Sequence, residues 1–165
     1  MDVEKSQIDS SNPVEAGIRR LFQDLNREDS QLRTYLLDAA LAGLRLARNP
    51  ESPELRHDAA QVWAAIEPIL SRHLEAEDTH LLPWLEQHGN LSPETQGKIR
   101  ECHQKLRSFI RVLVRDDIAA ATATEGREIG KALTGLGVAL DDAIDDEERR
   151  LLPTFQKALF ATLRQ

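Results

Sequence analysis

Two acidic residues followed at a fixed distance by Leu-Leu-Pro occur twice in this sequence. The first copy, EDTHLLP, begins at Glu77, and the second, EERRLLP, begins at Glu147. His73 precedes the first acid by four residues, so the two side chains would share one face of a helix. Imidazole together with carboxylate is the donor mixture expected for iron, manganese or zinc, and it suits calcium and magnesium poorly. The pattern therefore predicts a transition-metal site.

The same residue types interrupt the apolar stripe of each predicted helix near its middle. Isolated buried charges are costly, so such groups are normally paired, hydrogen-bonded or bound to metal. The middles of all helices lie at one level in an antiparallel bundle, where inward-facing acids and histidines build metal sites. The predicted metal ligands are Asp29, His73, Glu77, His103 and Glu147.

The elements that must position these residues can be predicted from helix start and stop signals. A capping residue followed by proline begins three helices, at Asn12, Ser52 and Ser92, and Thr122 with Glu125 forms a capping box. The predicted helices span 13–48, 53–88, 93–120 and 122–163. Short connections favour an all-α, antiparallel up-down-up-down four-helix bundle over 13–165, preceded by a disordered or frayed tail over 1–12.

Composition excludes several classes of function. The chain has 165 residues and a net charge of −7, without the basic stripe that a nucleic-acid partner requires. No apolar run approaches the roughly 20 residues that cross a bilayer, so no membrane partner is expected. The single cysteine, Cys102, excludes an intrachain disulfide and is expected to be an inert thiol. These features predict a cytoplasmic protein and leave a homodimer open.

Three segments resemble a known family. HLEAEDTHLLP is similar to the first signature of the hemerythrin-like (HHE cation-binding) domain, DDEERRLLP to its second, and ECHQKL to its third-helix stretch. The resemblance implies a four-helix bundle with a carboxylate-bridged di-iron site. Its members bind oxygen, sense oxygen or nitric oxide, store iron or repair iron–sulfur clusters. His73, Glu77, His103 and Glu147 match ligand positions of the family.

Three of the five histidines that the family uses are missing here. The resemblance places Asp29, Arg107 and Asp142 at those positions. The two acids keep a carboxylate-rich site chemically possible. Arg107 is harder to reconcile with metal, since a fixed cation repels an ion and could instead pair with Glu77 or Glu147.

Two hypotheses of function follow. The first is a metal-binding protein, with mononuclear or dinuclear non-haem iron, that binds or senses a diatomic gas (oxygen or nitric oxide) or handles iron. The second is a metal-free bundle that serves as a protein-interaction or regulatory module, with Arg107 salt-bridged inside the former site. Haem held by one of the spare histidines between helices is a third hypothesis. No catalytic motif is present, and His80 and Asp142 stay open as additional ligands.

Overall fold

A computed structural model describes residues 13–89, 91–115 and 117–162, and the described residues form helices with short connections. The elements are α1 (Pro13–Arg48), α2 (Pro53–Ala76), a π-helical turn (Glu77–Leu81), α3 (Leu82–His88), α4 (Pro93–Arg115), a 3₁₀ turn (Ile118–Ala120) and α5 (Ala123–Thr162). The all-α fold class is confirmed. Within the described ranges, no helix is both long and apolar enough to cross a membrane. The predicted tail over 1–12 lies outside the described residues.

The helix starts at Ser52, Ser92 and Thr122 agree with the capping signals, whereas the predicted cap at Asn12 and the predicted helix end at 163 lie outside the described residues. Ser52 Oγ accepts a hydrogen bond from Leu55 N–H at 3.2 Å, and Ser92 caps α4 in the same way. Thr122 and Glu125 form the predicted capping box, since each backbone N–H donates to the other's side chain, at 2.7 and 3.3 Å. One predicted boundary was wrong, because α4 ends at Arg115 rather than at residue 120.

The predicted second helix contains a π-helical turn where the first acidic copy lies. Leu82 N–H donates to the carbonyl of Glu77, five residues earlier. Pro83 follows within the first turn of α3, where its missing N–H is tolerated. Pro153, in the second copy, lies inside α5, which is α-helical throughout its length. The two copies of the sequence repeat therefore differ in backbone conformation, since only the first contains a π turn. Such turns are frequent at functional sites.

Glycine allows α1 and α5 to pack with almost no space between their backbones. A Cβ placed on Gly43 would lie 2.5 Å from the carbonyl oxygen of Gly130, and one on Gly130 would lie 2.5 Å from Ala47 N. Further along, Gly137 packs against Leu36. The two helices thus contact each other in opposite sequence order, and the glycine-rich start of α5 is explained by close approach.

The core consists of two apolar clusters separated by a polar layer. α1, α4 and α5 each contribute buried residues to both clusters, and α2 does so together with the π turn that follows it. The polar residues lie close to the boundary between the two clusters. In α1 the flanking residues are Leu25 and Leu32, in α2 and the π turn Leu70 and Leu81, in α4 Ile99 and Leu106, and in α5 Ile144 and Leu151. The five residues predicted as ligands lie in this layer, as their positions in the sequence suggested.

Candidate metal centre

The structure brings all five predicted residues together in two groups of three. Asp29, His73 and Glu147 form one group, and Glu77, His103 and Glu147 form the other. Within each group, one candidate ligand atom of every residue lies within 4.8 Å of the others. The groups share Glu147, on α5. Four of the five residues are almost completely buried, with exposed fractions between 1% and 6%.

The separations between candidate ligand atoms suit a coordination sphere. His73 Nε2 lies 3.2 Å from Asp29 Oδ1 and 3.6 Å from Glu147 Oε2, and His103 Nε2 lies 3.0 Å from Glu77 Oε2. With metal–ligand bonds of about 2.0–2.2 Å, neighbouring ligand atoms are roughly 3.0–3.5 Å apart. The side chains are therefore spaced as ligands of an ion would be.

Three atoms of this cluster are buried without a hydrogen-bond partner. They are Asp29 Oδ1, Glu77 Oε2 and His103 Nε2, three of the four such side-chain atoms in the described part of the chain. The distance between His103 Nε2 and Glu77 Oε2 is short, but its geometry is not that of a hydrogen bond. Each unpartnered buried polar atom costs roughly 1–3 kcal/mol, so native structures rarely keep several in one place. The donor set therefore fits a cation.

The electrostatics of the layer also call for positive charge. Burial raises the pKa of Asp29 to about 7, and the charge of Glu147 adds to this shift. Burial likewise raises the pKa of Glu147 to about 7, reinforced by Glu77. Burial alone would lower the pKa of His73, but Glu147, Glu77 and Asp29 outweigh it and raise that pKa to about 10. In the absence of a metal ion the layer binds protons instead, on His73 and in part on Asp29 and Glu147 at neutral pH.

Each imidazole is oriented by an acid on the side away from the centre. His103 Nδ1 donates to Asp78 Oδ1 at 2.7 Å, and His73 Nδ1 donates to Glu28 Oε2 at 3.3 Å. An ionised carboxylate only accepts hydrogen bonds, so Nδ1 carries the hydrogen and Nε2 faces the other ligands. Sequence reasoning missed both acids as functional residues. Both acids adjoin a candidate ligand in the sequence, in the pairs Glu28-Asp29 and Glu77-Asp78, and this pairing could have identified them. In each pair one acid faces the centre and the other accepts a hydrogen bond from an imidazole.

Arginine side chains hold these two acids in turn. Arg72 Nε donates to Glu28 Oε1 at 2.5 Å, and Arg107 Nη2 donates to Asp78 Oδ2. The metal-free hypothesis placed Arg107 against Glu77 or Glu147, and the structure contradicts that pairing. The Arg107 side chain is 42% exposed, because Asp78 offers a partner near solvent and spares the guanidinium the cost of burial. The interior is therefore left to the five candidate ligands.

The remaining candidates lie outside the two groups. His80 is exposed and lines a surface groove with Trp84. Asp142 is exposed on α5, in a shallow depression that also contains Cys102. Burial and the neighbouring Asp146 raise the pKa of the Cys102 thiol, which agrees with an inert cysteine.

These features define an all-helical protein with an imidazole–carboxylate candidate metal site at the centre of its core. A family model, the hemerythrin HHE cation-binding domain, matches residues 17–155. The chain belongs to that family, as the resemblance of its motifs predicted, and all five candidate ligands fall within the matched region. Neither the comparison with curated proteins nor that with solved structures finds a match.

Proposed function

We propose that the protein holds non-haem iron as two ions that share Glu147. Asp29 and His73 would complete one position, and Glu77 and His103 the other. The observation that carries this proposal is the set of three buried, unpartnered ligand atoms. One cation in each group would satisfy these atoms, Asp29 Oδ1 in the first and Glu77 Oε2 with His103 Nε2 in the second. Membership of a cation-binding family supports the same proposal.

The donor set supports iron among the transition metals. Each position offers one imidazole nitrogen and two carboxylate oxygens, and the only cysteine lies outside both groups. Thiolates would favour zinc or copper(I), whereas mixed imidazole and carboxylate donors suit iron, manganese or zinc. A carboxylate shared by two positions inside a helix bundle is typical of di-iron and di-manganese proteins. Three carboxylates also offset most of the charge of two divalent ions. With three protein ligands at each position, bound iron would keep coordination positions open.

We further propose that binding or sensing of a diatomic gas is the function of the centre. Three protein ligands leave positions open, at which bound iron would supply coordination of oxygen or nitric oxide. The chain contributes a buried site, because apolar clusters lie on both sides of the polar layer. It also contributes oriented imidazoles, since Glu28 and Asp78 hold His73 and His103. Iron handling is the function that would remain if no gas binds.

Elemental analysis with an absorption spectrum tests the metal. Tag-free protein would be purified from iron-supplemented cells and also reconstituted anaerobically with ferrous iron. We expect about two irons per chain, the number that bundle sites of this ligand type hold, and charge-transfer bands that change on addition of oxygen or nitric oxide. Metal far below stoichiometric after reconstitution would refute the proposal.

Matched variants connect the metal to the site. Glu147→Gln removes the shared ligand with little change in shape, so iron should fall below one ion per chain. Glu148→Gln is the control, because the neighbouring acid contacts Arg33 at the surface, at 3.2 Å. Equal iron contents in the two variants would show that iron binds elsewhere.

One observation favours the second candidate, a metal-free interaction module. The raised pKa values of His73 and His103 allow two imidazolium ions to offset the buried carboxylates without any metal. Leu37, Leu41 and Leu44 are exposed on α1 and could serve as the interaction surface. Metal-free protein after reconstitution, with full helicity and a cooperative thermal transition, would favour this candidate.

The finer points of architecture are also proposals. An antiparallel up-down-up-down arrangement is supported by the opposite sequence order of the contacts between α1 and α5. The boundaries of the bundle at 13–165, a cytoplasmic location and a homodimer stay predictions.

A further inference from the structure

The two imidazoles of the candidate centre differ in their access to solvent. The Glu28 side chain that holds His73 is 8% exposed, whereas the Asp78 side chain that holds His103 is 30% exposed. Asp78, His103 and Arg107 also line a cleft of about 290 Å³ that is open to solvent. Both imidazoles are buried, but the acid that holds His73 is enclosed, whereas the acid that holds His103 lies at a cleft open to solvent.

Arg107 and Asp78 control this open side. Asp78 uses one oxygen for His103 Nδ1 and the other for Arg107 Nη2, so both of its acceptor atoms are engaged. The carboxylate lies on the π turn and the arginine on α4, and the pair therefore links the two elements that carry Glu77 and His103. A free carboxylate at this exposure would rotate, and the imidazole would lose its fixed orientation.

We propose that Asp78, held by Arg107, positions His103 for metal binding and makes the Glu77–His103 position the one at which metal exchanges with solvent. The inference rests on the proposed metal function. Arg107 then has a role at a place where the resemblance expected a ligand: it fixes the acid that orients the remaining histidine. Glu28 with Arg72 has the corresponding arrangement on the enclosed side.

Cobalt(II) titration monitored by absorption, with extraction by a chelator, would test this inference. Asp78→Ala should weaken one of two bound ions by about 10–100-fold and speed its extraction, because the imidazole loses its acceptor. Asp78→Asn should restore part of the affinity, since the amide oxygen still accepts the hydrogen bond. Arg107→Met should act in the same direction as Asp78→Ala and less strongly.

Glu86→Gln is the matched control. Glu86 pairs with Arg100 at 2.8 Å and lines the same cleft, but it does not contact either histidine. Its replacement should leave both ions and their extraction rates unchanged. An effect of Asp78→Ala on both ions to the same extent, or on neither, would overturn the inference. So would an effect of Glu86→Gln equal to that of Asp78→Ala.

A measurement on metal-free protein separates this inference from the proposed function. The NMR signal of the His103 Nδ1 hydrogen should exchange slowly with water in the parent protein and rapidly in Asp78→Ala. If the parent protein binds neither cobalt nor iron, the proposed function fails, and the exchange result still decides whether Asp78 positions His103. Rapid exchange in the parent protein would contradict the positioning role.

Discussion

Replacement of Gly130 by alanine tests whether the fold depends on the close contact between α1 and α5. A Cβ at this position would lie 2.5 Å from Ala47 N, 2.7 Å from the Gly43 carbonyl oxygen and 2.9 Å from Ala47 Cα. All three are backbone atoms, so no side chain can rotate to make room. Ordinary contact begins near 3.4 Å, and the helices would therefore have to separate by roughly 1 Å over the contact.

The expected magnitude follows from two opposing effects. Alanine gains about 1 kcal/mol over glycine in helix propensity. Overpacking of a tight contact typically costs about 1–3 kcal/mol, and a clash with backbone belongs at the upper end. We expect Gly130→Ala to lower the free energy of unfolding by about 1–2 kcal/mol after this gain is included.

Gly97→Ala is the control, measured in parallel by urea and thermal denaturation. Gly97 lies in α4, and a Cβ there would meet nothing within 4 Å. This substitution should raise the free energy of unfolding by up to about 1 kcal/mol, which corresponds to a few degrees in Tm for a domain of this size. If Gly130→Ala stabilised the protein as Gly97→Ala does, the packing of α1 against α5 described above would be incorrect.

Four further predictions concern the polar layer and the exposed residues near it. Metal-free protein should lose stability as pH rises, because Asp29 and Glu147 have folded pKa values of about 7 and His73 of about 10, all above their ordinary values. The folded state therefore binds more protons than the unfolded state, and denaturation should show the loss from about pH 4 to 7 for the carboxyls and from about 6.5 to 10 for His73. Metal affinity should rise with pH, because metal binding displaces protons from the ligands. Calorimetry in buffers of different ionisation enthalpy should therefore detect proton release. Metal binding without proton release would argue against these ligands. Glu147→Gln should stabilise metal-free protein at pH 8 by about 1–3 kcal/mol and should lower the metal content. A loss of both stability and metal content would indicate that Glu147 has a purely structural role. His80→Ala and Asp142→Asn should leave metal content unchanged, since both residues are exposed outside the two groups.

Sequence reasoning was sufficient for the residues that face the core. Apolar spacing and capping signals predicted the helices, and the interruptions of the apolar stripes identified Asp29, His73, Glu77, His103 and Glu147, which the structure brings together. This worked because a helix fixes which residues share a face. Whether they bind metal remains a proposal, since spacing alone does not identify what occupies the space between side chains.

Sequence reasoning misjudged Arg107 and Asp78, because the helical repeat does not determine the orientation of their side chains. Arg107 aligns with a ligand position, yet its long side chain turns towards solvent and Asp78. Asp78 lies in a π turn, where one extra residue changes the angular spacing between neighbours. The spacing of a regular helix, with 3.6 residues per turn, does not predict that the Asp78 side chain contacts His103 on α4.

The polar layer is the feature of the core that supports the proposed metal site. The apolar residues of α1, α2, α4 and α5 form two clusters, and buried charged groups lie between them. The layer adds cost, since Glu77 and His103 keep buried atoms without hydrogen bonds. Local departures from good packing are expected where function requires them. A cation would use the same atoms as ligands. Its binding should therefore stabilise the whole bundle, by an amount that grows with the logarithm of the free-metal concentration divided by Kd.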